Sequence, residues 1–247
     1  MSVSRKIADR IMLALAVVLG GGSVLLLGIG GSFAFTRFGW SERDLLLWDA
    51  ALSCLFFVQH SGMVRRPFRA WLARSIEGSY HGAVYSITSG IVLTLVVVCW
   101  QRSALVLWSV QGVARLLMHA ALLLVMGLFA WSALSIRSFD ILGIAPLRDR
   151  LRGRTHAPGT FEIRGPYRWV RHPLYSGILV LLWTIPDITA DRFLFNVLWS
   201  VWIVGATLLE ERDLVREFGE QYRAYQRNVP MLVPFRRPWT AAAAPLR

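Results

Sequence analysis

Two short polar stretches, RHPLYSG at residues 171–177 and EERD at residues 210–213, decide how the second half of this 247-residue chain is interpreted. The first stretch opens an apolar segment and the second closes one, and the sequence between them is long enough to fold back on itself. Anchoring a hairpin in a membrane does not require charged and aromatic side chains at both of its ends. We therefore predict that the two stretches form one site at the membrane edge.

The composition indicates a membrane protein with several spans. Hydrophobic residues make up 55% of the chain and charged residues only 17%, whereas soluble domains carry roughly a quarter of charged residues. The formal net charge is +12. Because the basic residues lie between apolar segments and not on a free domain, they favour anionic lipid over nucleic acid as a partner. The two cysteines lie inside apolar runs, so neither a disulfide framework nor a metal site is expected.

The hydropathy pattern predicts an all-α polytopic bundle of about six membrane spans. Segments of the length that crosses a bilayer lie at residues 11–34, 45–64, 82–100 and 113–136. Residues 173–186 and 193–209 are shorter, and we expect them to form a tight helical hairpin. Residues 11–34 follow basic residues as a signal peptide would, but no clear small-residue cleavage site comes after them. We expect a retained first span.

The arginine distribution predicts that both termini are cytoplasmic. The N-terminus, the loops at residues 65–74 and 137–172, and the C-terminal tail are basic, and all fall on one side of a six-span bundle. The positive-inside rule makes that side cytoplasmic, so both polar stretches are expected there. For most of these arginines the simpler interpretation is that they only fix topology. Arg171 and Arg212 are exceptions because they belong to the two stretches.

The dipeptide His172-Pro173 has the chemistry of a helix start. Proline is favoured at the first helical position and pushes the residue before it out of helical geometry. Arg171 and His172 are therefore expected at a helix N-terminus, where side chains and free backbone N–H groups can bind an anion. Gly177, about one turn later, would let a second helix or a ligand approach closely.

Glu210 and Glu211 end the last apolar run, where we expect a helix to end. Carboxylates at a helix C-terminus oppose the helix dipole, so these two need arginines, ribose hydroxyls or a cationic ligand as partners. The next segment predicts an amphipathic C-terminal helix with a stripe that serves packing and not cofactor binding. The stripe consists of Leu214, Phe218, Tyr222 and Tyr225.

Further motifs follow the two stretches in a fixed order. They are Phe-Gly at 218–219, Tyr-x-x-Tyr at 222–225 and Val-Pro-x-Leu-x-Pro at 229–234. In this order the motifs resemble the integral-membrane methyltransferases, which include isoprenylcysteine carboxyl methyltransferase and the phospholipid N-methyltransferases. The resemblance covers about residues 137–234. It divides the chain into a four-span region, residues 1–136, and a methyltransferase core, residues 137–247.

The resemblance is strongest to the bacterial methanethiol S-methyltransferases. It extends to Phe-Asp-Ile-Leu-Gly at 139–143, Leu-Arg-Gly-Arg at 151–154 and Gln-His-Ser at 59–61. Gln-His-Ser, with Arg-Pro-Phe at 66–68, also resembles a membrane family associated with nitric-oxide metabolism. Residues 77–85 depart from the Glu-Arg-Ser-Thr-Tyr pattern of the thiol enzymes, so the sequence defines the acceptor less well than the reaction.

The resemblance implies methyl transfer from S-adenosylmethionine to a small or lipophilic thiol, giving a thioether, at the cytoplasmic side of a bacterial inner membrane. The residues that it assigns to the donor site are Tyr167, Arg171, His172, Pro173, Tyr175, Gly177, Glu210 and Glu211. Arg171 suits the carboxylate of the donor, and the glutamates suit its ammonium or ribose hydroxyls. Tyrosine faces suit its sulfonium or adenine.

A thiol acceptor must lose its proton before it can react. The thiolate is the nucleophile, and a free cysteine thiol with a pKa of about 8.5 is mostly protonated near pH 7. His60, His172 and Tyr80 are the candidate bases, although His60 also fits an interfacial histidine with a satisfied hydrogen bond. Arg212 either holds an anionic acceptor or pairs with the glutamates.

Other functions stay open from the sequence. The same fold could act on a prenyl carboxylate or a lipid amine, and a panel of labelled acceptors separates these from a thiol. A non-catalytic membrane protein linked to haem through His60, or to nitric-oxide metabolism, would be recognised by a Soret band. A reductase with a nicotinamide cofactor lacks a glycine-rich phosphate loop here. The oligomeric state is not defined by the sequence.

Overall fold

The computed structural model describes residues 3–30, 38–136, 140, 142–156 and 161–239, without the side chains of residues 29 and 30. Nearly all of its regular structure is helical, which confirms the predicted all-α class. The long helices are α3 (Glu42–Val64), α5 (His81–Cys99), α6 (Gly112–Ser135) and α9 (Ala190–Phe218). The shorter ones are α1 (Val3–Leu15), α2 (Gly22–Gly30), α4 (Arg66–Leu72), α7 (Ala145–Leu151), α8 (Pro173–Trp183) and α10 (Glu220–Asn228).

Within the described residues, five helical stretches are long and apolar enough to cross a membrane. They are Val3–Gly28, Glu42–Val64, Gly78–Cys99, Gly112–Ser135 and Ala190–Phe218. The first joins α1 to α2 through a π-helical turn, Ala16–Gly21. The chain is therefore a multi-pass membrane protein, as the hydropathy pattern predicted.

The sixth predicted segment is shorter than a span. Residues 173–186 form the eleven-residue helix α8, which ends at Trp183, whereas a helix that crosses a bilayer needs about 20 residues. Pro186 explains the early end, because the residue before a proline is disfavoured in helical geometry. The chain then continues into β2 (Asp187–Thr189), which pairs with β1 (Val106–Ser109).

Local capping explains where α3 begins. Its predicted start was residue 45, but the helix begins at Glu42 because Ser41 is an N-cap whose Oγ accepts the Asp44 amide at 3.3 Å. Glu42 and Asp44 also place negative charge in the first turn, which the helix dipole favours. Apolar length alone therefore underestimates the helix, since its first turn is polar.

The chain forms two compact units that alternate along the sequence. The first unit comprises Met1–Leu105, Asp140–Pro158 and Thr189–Phe195. The second comprises Val106–Phe139, Gly159–Ile188 and Asn196–Arg247. Helix α9 therefore contributes its first residues to the first unit and the rest to the second. The predicted division into a four-span region, residues 1–136, and a methyltransferase core, residues 137–247, stays a prediction.

Close backbone contact holds α5 against the π-helical turn in the first unit. A Cβ placed on Gly90 would lie 2.3 Å from the carbonyl oxygen of Leu19 and 2.8 Å from the amide nitrogen of Gly20. Small residues at such crossings matter in membrane proteins, where lipid removes the hydrophobic drive for helices to associate. Gly90 is therefore required by this contact.

A glycine separates the last two helices of the second unit. Gly219 has a φ of +56°, which residues with a Cβ rarely adopt, and it ends α9 before α10 begins. The predicted stripe is thus divided between two helices instead of lying on one. Its residues still pack together: Tyr222, Tyr225 and Val229 form a buried cluster with Leu214 and Phe218 at its border. The predicted packing of these residues is confirmed.

Substitution of Gly90 by alanine should lower the free energy of unfolding by about 1–3 kcal/mol, because the added methyl group overpacks a backbone contact. Gly127→Ala in α6 is the matched control. A Cβ there meets nothing within 4 Å, so better helix propensity should leave stability unchanged or raise it by up to about 1 kcal/mol. Thermal unfolding in detergent measures both, and equal stability of the two variants would contradict the assignment.

Candidate functional site

The first polar stretch starts a helix, as its sequence predicted. His172 is the N-cap of α8 with φ −126° and ψ 65°, and Pro173 is its first residue. The glycine of this stretch is less critical for packing than expected. A Cβ on Gly177 would meet Phe129 and Val125 of α6 at 3.7 and 3.8 Å, which is ordinary van der Waals contact. No close approach of α6 therefore demands glycine here.

The C-terminal segment occupies the backbone amides of the two residues that precede α8. The Arg171 amide donates to the Pro230 carbonyl at 2.9 Å, and the His172 amide donates to the Met231 carbonyl at 3.1 Å. The Ser176 hydroxyl donates to the Leu232 carbonyl at 2.7 Å. The Val-Pro-x-Leu segment therefore lies against the start of α8 and occupies the amides of residues 171 and 172, while an anion site at the helix N-terminus stays a prediction.

Glu211 is the centre of a buried polar network. Its side chain is 8% exposed and accepts two hydrogen bonds from Arg171, through Nε at 2.9 Å and Nη2 at 2.7 Å. His172 Nε2, Tyr222 Oη and Gln226 Nε2 each lie 2.6 Å from one of its oxygens. Five hydrogen bonds thus hold this carboxylate, and they join α8, α9 and α10.

The network explains why the glutamates do not end a helix. Helix α9 continues for seven residues past Glu211, to Phe218, so the prediction that a helix ends at the two carboxylates is wrong. Arg171 neutralises the charge of Glu211 from α8, and the apolar residues Leu214 and Val215 continue the packed face of the helix. The apolar run ends at residue 209, but the helix does not.

The guanidinium of Arg171 is fully engaged within the second unit. Besides Glu211, its Nη1 donates to the backbone carbonyls of Gln226, at 3.1 Å, and Val229. Its side chain is 9% exposed. In this conformation Arg171 therefore fixes the site, and every one of its nitrogen atoms already has a protein partner.

Glu210 differs from its neighbour. It is half-buried, and its Oε2 accepts a hydrogen bond from Tyr175 Oη at 2.8 Å. Its second oxygen has no hydrogen-bond partner in the part of the chain that the structure describes. The ring of Tyr175 stacks on that of His172, with centroids 5.6 Å apart and planes within 9°. Glu210 thus presents a carboxylate oxygen beside a pair of stacked rings.

Tyr167 belongs to the same environment. Burial and the negative charge of Glu210 raise the pKa of its hydroxyl to about 12. Its backbone carbonyl accepts the Tyr225 hydroxyl at 2.5 Å. Burial also raises the pKa values of Tyr222 and Tyr225, and for Tyr222 the hydrogen bond to Glu211 adds to the effect. All three hydroxyls therefore stay protonated at neutral pH, and those of Tyr222 and Tyr225 donate hydrogen bonds.

The remaining candidates lie elsewhere. Arg212 is exposed and forms no ion pair with the described residues, so the pairing with the glutamates is not seen. His60 and Tyr80 belong to the first unit. The Tyr85 hydroxyl lies 2.7 Å from His60 Nε2, and Tyr80 Oη donates to the buried carboxylate of Asp9.

Most residues of the polar site were predicted from the sequence, and two of them, Tyr222 and Gln226, were not. Within the second unit the structure brings together Tyr167, Arg171, His172, Pro173, Tyr175, Glu210 and Glu211. Tyr222 was assigned to packing, although its position in the Tyr-x-x-Tyr motif marked it as notable. Gln226, one turn later, carried no signal. Residues 139 and 141 of the 139–143 motif lie outside the described residues.

Replacing Glu211 by alanine should destabilise the protein by about 3–5 kcal/mol, because the change leaves the buried Arg171 without a counter-charge. Glu217→Ala, at an exposed position on the same helix, should change stability by less than about 0.5 kcal/mol. Thermal unfolding in detergent measures both variants. Similar unfolding temperatures for the two would show that the network contributes little.

Tyr167 should ionise about two pH units later than an ordinary tyrosine, whose pKa is about 10. Since its pKa is raised in the folded state, its contribution to stability is complete below pH ~10 and is lost as pH rises through about 12. The difference in tyrosinate absorbance between the wild type and Tyr167→Phe measures this ionisation. A midpoint near pH ~10 would contradict the burial of Tyr167 beside Glu210.

Comparison with known proteins supports the resemblance seen in the motifs. A family described as "NnrU protein" matches residues 50–235. Methanethiol S-methyltransferase of Pseudomonas deceptionensis is 35% identical over 76% of this chain and 72% of its own length. The corresponding values for methanethiol S-methyltransferase of Mycobacterium tuberculosis are 34%, 73% and 75%.

The chain is also similar to a more distant protein from an animal. Nurim of Rattus norvegicus is 27% identical over 72% of this chain and 74% of its own length. No solved structure matches the chain. The extent of the family match and the identity to the two bacterial enzymes confirm the predicted resemblance. The chain therefore belongs to the NnrU protein family and is a relative of the methanethiol S-methyltransferases.

Proposed function

We propose that this protein is a membrane methyltransferase that moves a methyl group from S-adenosylmethionine to a small thiol, giving a thioether. One observation carries the proposal. The carboxylate of Glu211 is fully occupied by hydrogen bonds within the protein, whereas the adjacent Glu210 has one oxygen that can still accept a hydrogen bond from a ligand. The printed names of the relatives support the reaction and the class of acceptor.

The residues around Glu210 fit a cationic donor. S-adenosylmethionine supplies a methyl group on a positively charged sulfonium and also carries an ammonium group and ribose hydroxyls. The carboxylate of Glu210 suits the ammonium or the hydroxyls, and the faces of Tyr167 and Tyr175 suit the positive charge. The donor site would thus use the half-buried residues of this group, while the fully buried ones hold them in place.

Arg171 and His172 act as positioning residues in this proposal. Arg171 donates its hydrogen bonds to Glu211 and to two backbone carbonyls. His172 Nε2 lies 2.6 Å from a carboxylate oxygen of Glu211. His172 therefore orients the stacked ring of Tyr175 and with it the hydrogen bond to Glu210. Methyl transfer depends strongly on alignment of the reacting atoms, so a rigid support of this kind contributes to the rate.

Arg212 is the member of the site whose charge faces outward. It is exposed and lies two residues after Glu210 on α9. A positive charge near the acceptor favours its ionised form, so Arg212 would attract a thiolate or an anionic acceptor. This keeps the role that the sequence suggested for it, without the ion pair to the glutamates.

We also propose that both polar stretches face the cytoplasm of a bacterial inner membrane, with both termini on that side. Helix α8 is too short to span alone, since eleven residues give roughly 16 Å of helix. The hydrocarbon core is about 30 Å thick, so residues 184–189, which follow α8 and end in the strand β2, would have to complete the crossing before the chain returns through α9.

The decisive test is methyl transfer from labelled S-adenosylmethionine to a panel of thiol, carboxylate and amine acceptors. The proposal expects methylation of small thiols by the purified protein and loss of activity in His172→Ala. If only a prenyl carboxylate or a lipid amine were methylated, the acceptor would not be a thiol. A Soret band together with absence of methyl transfer would replace the proposal by a haem-linked, non-catalytic function.

Glu210→Gln should weaken binding of S-adenosylmethionine by roughly 10- to 100-fold, because a charge-assisted hydrogen bond contributes about 1.5–3 kcal/mol. Glu217→Gln makes the same chemical change at an exposed position of the same helix and should leave the affinity unchanged. Equilibrium binding of labelled donor measures both. Equal affinity of the two variants would remove Glu210 from the donor site.

A further inference from the structure

The segment that follows α3 in the first unit is strongly basic. Residues 50–76 contain no aspartate or glutamate but have four arginines, Arg65, Arg66, Arg69 and Arg74. The membrane span Glu42–Val64 ends immediately before the first of them. The positive charge is therefore concentrated at one edge of the membrane, where polybasic segments attract anionic lipid headgroups.

The backbone makes this segment a helix of its own at the end of the span. Arg65 is extended, with φ −68° and ψ 142°, and it is both the C-cap of α3 and the N-cap of α4. Pro67 lies in the first turn of α4, where its missing N–H is no loss. Leu72, at the end of α4, is only 8% exposed. Helix α4 is therefore packed against the protein at the point where the chain leaves the membrane.

Three of the arginines keep their charge for an external partner. Arg66, Arg69 and Arg74 are exposed, and their guanidinium groups have no hydrogen-bond or ion-pair partner among the described residues. Arg66 and Arg69 are three positions apart on α4 and so are neighbours on its surface. Glu77, the next carboxylate along the chain, already pairs with Arg150. An anion bound here would thus relieve repulsion between like charges.

Apolar side chains beside the arginines favour a lipid over a free anion. Trp71 of α4 is 59% exposed, and its ring centroid lies 5.4 Å from that of Phe68. Val64, the last residue of the span, is 46% exposed. Tryptophan is enriched at the headgroup level of membranes. A phospholipid can place its phosphate against the arginines and the start of its chains against these apolar groups, whereas a free anion gains nothing from them.

We propose that α4 and the arginines around it form a binding site for the headgroup of an anionic phospholipid. Arg66, Arg69 and Arg74 donate charge-assisted hydrogen bonds to the phosphate oxygens, and Trp71 contacts the glycerol and the upper part of the chains. The bound lipid neutralises the arginines and holds α4 at the membrane edge. The site belongs to the first unit alone and does not depend on the methyl-transfer reaction.

Binding of a fluorescent phosphatidylglycerol to the full-length protein in neutral detergent tests the role of the arginines. The wild type should bind this lipid at least tenfold more tightly than a labelled phosphatidylcholine, whose headgroup has no net charge. Arg66→Gln/Arg69→Gln should weaken the binding of phosphatidylglycerol by roughly 30-fold, since each arginine near an anionic lipid surface contributes about a factor of five.

Arg43→Gln, near the other end of α3, is the matched control for the loss of charge. Arg43 is exposed and lies between Glu42 and Asp44, so its surroundings do not attract an anion and the affinity should stay unchanged. Equal affinity of the wild type for the two lipids would overturn the proposal. The same conclusion would follow if the double variant bound phosphatidylglycerol as tightly as Arg43→Gln does.

Inorganic phosphate and Trp71→Ala distinguish a lipid site from a site for any anion. Phosphate has the charge without the chains, so an equal concentration should not displace bound phosphatidylglycerol. Trp71→Ala should weaken lipid binding by roughly three- to tenfold through lost apolar contact. Trp131→Ala, which truncates an exposed tryptophan of α6, should leave it unchanged. Displacement by phosphate, or equal affinity of the two tryptophan variants, would overturn the assignment to a phospholipid.

Discussion

The buried hydrogen bonds of Glu211 are the interaction on which the second unit depends. A carboxylate this deeply buried is expensive unless it is paired and hydrogen-bonded. Arg171 and His172 at the start of α8 and Tyr222 and Gln226 on α10 supply those hydrogen bonds. Because each of these partners must be in register, one side chain fixes the start of α8, the C-terminal part of α9 and one face of α10 relative to each other.

Because the hydrogen bonds of Glu211 are all made within the protein, the adjacent Glu210 has a different role. Glu210 lies next in the chain but has one hydrogen bond, from Tyr175, and a ring pair beside it. Two identical side chains are therefore separated into a structural carboxylate and one that can meet a ligand. The C-terminal segment, residues 229–234, occupies the amides of Arg171 and His172, so these two amides are engaged within the protein.

The sequence predicted what depends on local chemistry. Hydropathy identifies spans because each must satisfy its backbone within itself, and Pro173 defines the start of α8 through its own geometry. The partners of Arg171 depend on tertiary packing, so the engagement of its whole guanidinium could not be predicted. The continuation of α9 past the glutamates was missed for the same reason: a charge compensated from another helix leaves no mark in the local pattern. Gln226 is a polar residue whose role follows only from its neighbours.

The most direct test of the central claim is an experimental structure of the protein with S-adenosylhomocysteine bound. We predict ligand density beside Tyr167, Tyr175 and the carboxylate of Glu210, with Glu211 still paired to Arg171. Ligand density away from Glu210, or a ligand that separates Arg171 from Glu211, would contradict the assignment of Glu210 to ligand binding and of Glu211 to structural support.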